Sequence, residues 1–217
     1  MSTIPISLES CPAACKSSGI VQQFGKPTGW VGWCIGQLMA VKNRRRSEWV
    51  IELIDIQPND RVLEVGFGSG VDIGRVSAIA IQGFVAGIDH SEVMVQQAKK
   101  RNAAAIRAKR VDLQCASAAS LPYADAMFDK IFSINVAQFW TNPLEVLVDL
   151  RRVLNPEGLI ALAIQPRIPN ATEATAQETG KFLVNLLTVA GFEQVRLETK
   201  AMEPVSVVCA LGIKKQS

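Results

Sequence analysis

A chain of 217 residues with 48% hydrophobic and 20% charged side chains has the balance of an ordinary globular domain, which excludes a disordered polyelectrolyte or a fibrous repeat. Its formal charge of only +3 provides no broad electropositive track for nucleic acid. Five cysteines with a single histidine and no Cys-x-x-Cys pair speak against a zinc site or a closed disulfide framework, so no metal is expected and a reducing compartment fits best.

Residues 1–20 are rich in Ser, Pro and Cys without periodicity and read as a loosely ordered arm. They lack the basic and apolar regions of a signal peptide, and no apolar run in the chain reaches the roughly 18 residues that span a bilayer, so the expected location is cytoplasmic. Residues 21–57 turn helical. Trp30, Trp33 and Met39 mark one segment, and Trp49, Val50, Leu53 and Ile54 mark a second at i, i+1, i+4, i+5 spacing. The run Arg44-Arg45-Arg46 reads as a solvated helix face, or as contact with an anion if it flanks a cleft.

The main domain is expected over residues 58–217. The apolar run Arg61–Val65 ends in glycines, as a buried strand entering a tight turn does. Beyond the turn come a strand near 84–88, a helix over 91–102, strands over 111–116 and 128–134, a helix over 143–154, a strand over 158–164 and a helix over 174–190. This alternation predicts an α/β, Rossmann-like doubly wound sheet with helices on both faces. The last two apolar runs, 194–198 and 205–213, have no helix between them, so a hairpin brings the sheet to seven strands, one of them antiparallel. The stripe Val146, Leu147, Leu150, Val153 and Leu154 reads as core packing.

The chemistry is concentrated in Val62-Leu63-Glu64-Val65-Gly66-Phe67-Gly68-Ser69-Gly70, where a strand stops and a helix begins. Glycines there let the chain turn sharply and let a ligand approach the backbone at a helix N-terminus. A dinucleotide fingerprint starting at Gly66 would require Gly or Ala at position 71, which is Val71. Glu64 would attract the ammonium of an amino-acid moiety and repel a pyrophosphate. Asp89 ends the next apolar strand 19 residues after Gly70, where a carboxylate can accept both hydroxyls of a ribose. The plainer readings are an N-cap for Asp89 and a structural ion pair for Glu64.

These residues, with Gly87-Ile88-Asp89-His90-Ser91, Ser120-Leu121-Pro122-Tyr123-Ala124-Asp125, Phe128-Asp129 and Arg152-Val153-Leu154-Asn155-Pro156-Glu157-Gly158, resemble the UbiE-like (type 11) group of class I methyltransferases over about residues 60–165. The resemblance implies S-adenosylmethionine as cofactor. It implies Glu64, Gly66, Phe67, Gly68 and Gly70 around the methionine part, Asp89 on the ribose, His90 and Met94 beside the adenosine, and Ser117 and Ala118 near the adenine. Two departures stand out: Ser117 replaces the family's usual acid, and Glu157 replaces the first glycine of a Pro-Gly-Gly turn.

Methyl transfer from a sulfonium requires alignment and exclusion of water more than a nucleophile. The segment Ser133–Trp140 resembles the one that borders the methyl group in this family. Asn135 and Gln138 could hold a substrate group or the cofactor carboxylate, and Phe139 and Trp140 could wall the site or simply pack. His90, the one histidine, and Tyr123, the one tyrosine, are weak candidates for a base, with packing beside the adenosine as the plainer role for each. Phe24, Trp30, Trp33, Lys42 and Asn43 are candidates for an N-terminal lid over a small-molecule acceptor.

Three rival classes fit less well. An oxidoreductase lacks support from Val71 and from the absence of a Tyr-x-x-x-Lys pair. A nucleic-acid methyltransferase would carry Asp/Asn-Pro-Pro-Tyr or Pro-Cys, and the chain has neither. A module that binds the cofactor without transferring methyl would be told apart by turnover.

Overall fold

The computed structural model describes residues 44–216. The arm expected over 1–20, the first of the two expected N-terminal helices and the candidate lid residues Phe24, Trp30, Trp33, Lys42 and Asn43 lie outside them. In chain order the elements are α1 (Arg44–Ile54), β1 (Arg61–Val65), α2 (Val71–Ile79), β2 (Phe84–Asp89), α3 (Glu92–Arg101), α4 (Ala103–Arg107), β3 (Val111–Cys115), β4 (Phe128–Ile134), a 3-10 turn (Ala137–Phe139), α5 (Pro143–Val153), β5 (Leu154–Ile164), α6 (Glu173–Val189), β6 (Phe192–Lys200) and β7 (Val207–Lys214). Among the described residues no helix is long and apolar enough to cross a membrane.

The seven strands form one sheet in the order β3-β2-β1-β4-β5-β7-β6, parallel except for β7, which runs antiparallel to both β5 and β6. Strands buried on both faces need apolar residues at every position, not alternate ones. In β5, Ile160, Leu162 and Ile164 enter one core with the α5 stripe Val146, Leu147, Leu150 and Val153 and with Leu183, Leu186 and Leu187 of α6. Leu159, Ala161 and Ala163 point the other way, into a second core with Trp49, Val50 and Ile54 of α1, Ile73 and Val76 of α2, and Val95 and Ala98 of α3. Each such fully buried Leu or Ile contributes roughly 1.5–3 kcal/mol. The order of crossovers reverses at β1, whose neighbours are β2 and β4, and this opens a crevice beyond the C-terminal ends of β1 and β4.

Three details differ from the sequence reading. β5 pairs with β4 from Leu154 onward, but the register shifts between Phe128 and Lys130, so Asn155–Gly158 bulges out of an otherwise continuous strand. Within the bulge Glu157 takes φ +62°, the left-handed conformation for which glycine is the usual residue, so its side chain matters to a turn and not to the crevice. The short helix α4 was not anticipated. Finally, the arginine run is not one solvated face: Arg44 and Arg45 are exposed, but Arg46 is only 3% exposed, because three successive helical residues span some 200° of the helix surface.

Candidate active site

The glycine loop is held from behind. Gly66 donates its N–H to the Ile88 carbonyl at 2.8 Å, and Ser133 Oγ donates to the Val65 carbonyl at 3.0 Å, which fixes the end of β1 against β2 and β4. From α3, Asn102 Nδ2 donates to the Gly70 carbonyl at 2.9 Å, and Arg101 Nη1 donates to the Ser69 carbonyl. Gly70 has φ +72°, and a Cβ there would lie 2.5 Å from Ala98 Cβ, so only glycine lets the loop seat on α3. Gly68, at φ +53°, has nothing within 4 Å of where a Cβ would be. That side of the loop is open to the crevice, and α2 begins immediately after it with its N–H groups unpaired within the helix.

Asp89 ties loop and sheet together. Its carboxylate is 7% exposed and accepts from Gly68 N–H at 2.8 Å and from Ser91 N–H at 2.9 Å, one bond on each oxygen. Burial pushes its pKa up, and the two N–H donors oppose that shift. A carboxylate has about four lone-pair sites, so each oxygen keeps acceptor capacity. The N-cap position of α3 is Ser91, so Asp89 is not the cap of that helix.

Glu64 is 3% exposed, its Oε2 has no hydrogen-bond partner, and no salt bridge involves it among the described residues. Burial, and then the like charges of Asp72 and Asp89, raise its pKa well above the usual carboxylate range against the weaker pull of Arg75. The ion-pair reading is therefore not what the structure contains. A buried carboxyl without a partner, beside an open backbone loop, is the complement of a small cationic group.

The other candidates divide between the crevice and the core. Asn135, at φ +59°, ends β4; its N–H donates to the Ala163 carbonyl at 2.8 Å and its Oδ1 accepts from Gln165 N–H at 2.8 Å. Its Oδ1 keeps one lone pair, and its amide nitrogen is left as a donor. Gln138 is half-buried, with Nε2 3.5 Å from the Asn135 carbonyl; Phe139 is 50% exposed, whereas Trp140 packs on the core with Nε1 unpartnered. Met94 is buried, Ser117 is exposed with its Oγ accepting from Ala119 N–H, and Ala118 packs against the core. His90 is exposed, its Nδ1 3.8 Å from Asp89 Oδ1.

Two candidates are turned away. Phe67 is 5% exposed within the core beneath α1, α2 and α3, so it offers a ligand only its backbone. Tyr123 is 9% exposed and stacks edge-on against Phe128 with ring centroids 5.1 Å apart; it is a core residue and not a cover over an adenine. Burial drives its hydroxyl pKa upward, the wrong direction for a base. Arg101 and Asn102 were not anticipated, and nothing in their sequence context distinguishes them from ordinary surface residues; Arg46 stood out only as part of the arginine run.

A methyltransferase domain model matches residues 63–162. The uncharacterized methyltransferase YdaC of Bacillus subtilis is 30% identical over 179 residues, covering 82% of this chain and 97% of that protein. The chain belongs to the class I S-adenosylmethionine-dependent methyltransferases. For the methyltransferase fold, a SAM-dependent enzyme of Aquifex aeolicus superposes with a TM-score of 0.62 at 22% identity, covering 77% of this chain and 89% of that one. The [4+2]-cyclase SpnF superposes at 0.66 with 19% identity, covering 80% and 82%.

Because the Tyr123 hydroxyl is buried without a hydrogen-bond partner, Tyr123→Phe removes a desolvated polar group and no useful contact. The variant is expected to melt at the same temperature as the wild type or up to about 4 °C higher, with methyl transfer unchanged. A tenfold loss of turnover would return the hydroxyl to the reaction.

Proposed function

We propose that this methyltransferase binds S-adenosylmethionine across the ends of β1 and β2 and passes its methyl group to a small-molecule acceptor at the ends of β4 and β5. The observation that carries the reading is the unpartnered, buried Glu64 carboxyl beside the open face of Gly68, whose N–H is held by Asp89. The residues fit the cofactor: Glu64 suits the ammonium, the spare acceptor sites of Asp89 the ribose hydroxyls, the Gly66–Gly70 backbone the methionine part, and Met94, His90, Ser117 and Ala118 the adenosine.

Bound there, the cofactor would supply a methyl group already activated on a sulfonium sulfur, ready for a nucleophilic carbon, nitrogen or oxygen of the acceptor. The protein's share is to align the two molecules and keep water out. Asn135 and Gln138 would orient the acceptor, and Phe139 and Trp140 would shield it. With Tyr123 in the core, the acceptor brings its own nucleophilic atom, and His90 is the described side chain left to take a proton from it. The reading places the enzyme in the cytoplasm, in keeping with the free thiols of Cys115 and Cys209.

Thermal unfolding with S-adenosylmethionine, S-adenosylhomocysteine and NAD tests the cofactor. A ligand at about 100 times its Kd adds roughly 2.7 kcal/mol, which for a chain of this size raises the midpoint by about 5–10 °C. The two adenosyl sulfur compounds should produce that rise and NAD none; the opposite pattern defeats the reading. Because a cyclase shares the fold, formation of S-adenosylhomocysteine with a panel of small acceptors separates transfer from binding alone.

A further inference from the structure

Arg46 projects from α1 with 3% of its surface exposed. Its Nη1 donates to Gln165 Oε1 at 2.9 Å, while its Nε is buried without a partner. Among the described residues no carboxylate pairs with it: Asp72, the acid within Coulomb reach, is hydrogen-bonded to Arg75 at 2.6 Å. Residues 1–43 contain a single acidic side chain, Glu9.

The residue that Arg46 does contact is locked in place. Gln165 Nε2 donates to the carbonyls of Glu203 at 3.1 Å and Val205 at 2.9 Å, so Oε1 must face Arg46, and Gln165 N–H donates to Asn135 Oδ1 at 2.8 Å. Arg167, two residues further on, is near enough that its charge, added to the larger effect of burial, brings the Arg46 pKa down to about 10. Both guanidinium groups remain charged at neutral pH. A buried guanidinium beside a second cation and lacking an anion is strongly unfavourable, and such an arrangement persists where it serves a ligand.

We propose that Arg46 and Arg167, together with the amide nitrogen of Asn135, receive a carboxylate carried by the methyl acceptor. The position in the sheet favours the acceptor over the cofactor. The cofactor-binding candidates Glu64, Asp89 and Ser117 run from β1 through β2 to beyond β3, whereas Gln165 and Arg167 follow β5 on the other side of β4. β2 and β5 are three strand positions apart, roughly 14 Å. A carboxylate would satisfy Arg46 Nε, accept from Asn135 and separate the two like charges.

This inference rests on the methyltransferase reading for its choice of crevice, and the test keeps the two apart. The full chain, labelled with 15N-arginine, is first saturated with S-adenosylhomocysteine; failure of that step counts against the cofactor and leaves the anion site to be titrated in the free protein. Sodium acetate is then added at constant ionic strength, with acetamide as the neutral control. The Arg46 Nε–H resonance, identified by its disappearance in Arg46→Lys, should move downfield with a millimolar Kd for acetate and not respond to acetamide. Arg167→Lys should weaken acetate by about five- to tenfold, and it supplies an independent readout if Arg46→Lys fails to fold. No acetate response overturns the proposal, and so does a response that saturation with S-adenosylhomocysteine abolishes, which would assign the arginines to the cofactor's own carboxylate.

Discussion

Glu64→Gln is expected to raise the melting temperature of the free protein by several degrees and to weaken S-adenosylhomocysteine about tenfold to a hundredfold. The two effects share a cause. The buried carboxyl has a folded-state pKa well above its ordinary value of 4.5, so the fold favours its protonated form. As pH rises through 4.5 the unfolded chain gains by ionising, and the fold loses stability until the pH passes the raised folded value. The neutral amide cannot ionise and so avoids that loss. The advantage of the variant should therefore vanish in acid and grow to a plateau as pH rises, which melting curves across pH will record.

On the binding side, a charge-assisted hydrogen bond to the ligand's ammonium is worth about 1.5–3 kcal/mol, and the amide forfeits most of it. At a pH where the free protein holds Glu64 protonated, ligand binding should also release that proton, visible as a calorimetric enthalpy that depends on the buffer. The nucleoside 5′-methylthioadenosine, which lacks the amino-acid part, should bind wild type and variant alike. If both ligands weaken equally, Glu64 shapes the loop and does not contact an ammonium.

The strands that build the crevice were legible because they carry their burial in their own composition. Phe128–Ile134 is apolar enough to be placed to the residue, and the glycine loop announces its turn. What could not be read depends on partners distant in the chain. Arg46 looks like its exposed neighbours Arg44 and Arg45 until Gln165, 119 residues away, meets it. Phe67 sits between two glycines whose positive φ values turn its ring into the core, a direction composition does not encode. Tyr123 was drawn toward a ligand by being the one tyrosine, yet Phe128, five residues on, holds its ring. At the start of β5 a register shift within the β4 ladder hid four residues of strand. The site was thus legible where chemistry requires a rare residue at a strand end, as with Glu64 and Asp89, and opaque where an ordinary residue is buried by a distant partner.

Asp89→Ala should have the opposite effect on stability. Removing the carboxylate takes the acceptor from the half-buried Gly68 N–H and from the buried Ser91 N–H, the latter at about 1–3 kcal/mol, so the midpoint should fall by roughly 2–12 °C. The spare acceptor sites that suit two ribose hydroxyls disappear with it, and at about 1.5–3 kcal/mol per charged hydrogen bond the affinity loss should be a hundredfold or more. Unlike the change at Glu64, this loss should be shared by S-adenosylhomocysteine and 5′-methylthioadenosine, since both carry the ribose. Asp89→Asn separates the two roles. The amide keeps one oxygen for one of the two N–H donors, so stability should fall less than in the alanine variant, while its NH2 group can no longer accept from a hydroxyl. Calorimetric titration of the asparagine variant should therefore show at least tenfold weaker 5′-methylthioadenosine at a melting temperature between those of wild type and Asp89→Ala. An affinity within threefold of wild type would confine Asp89 to holding the glycine loop and move the ribose to a different acceptor.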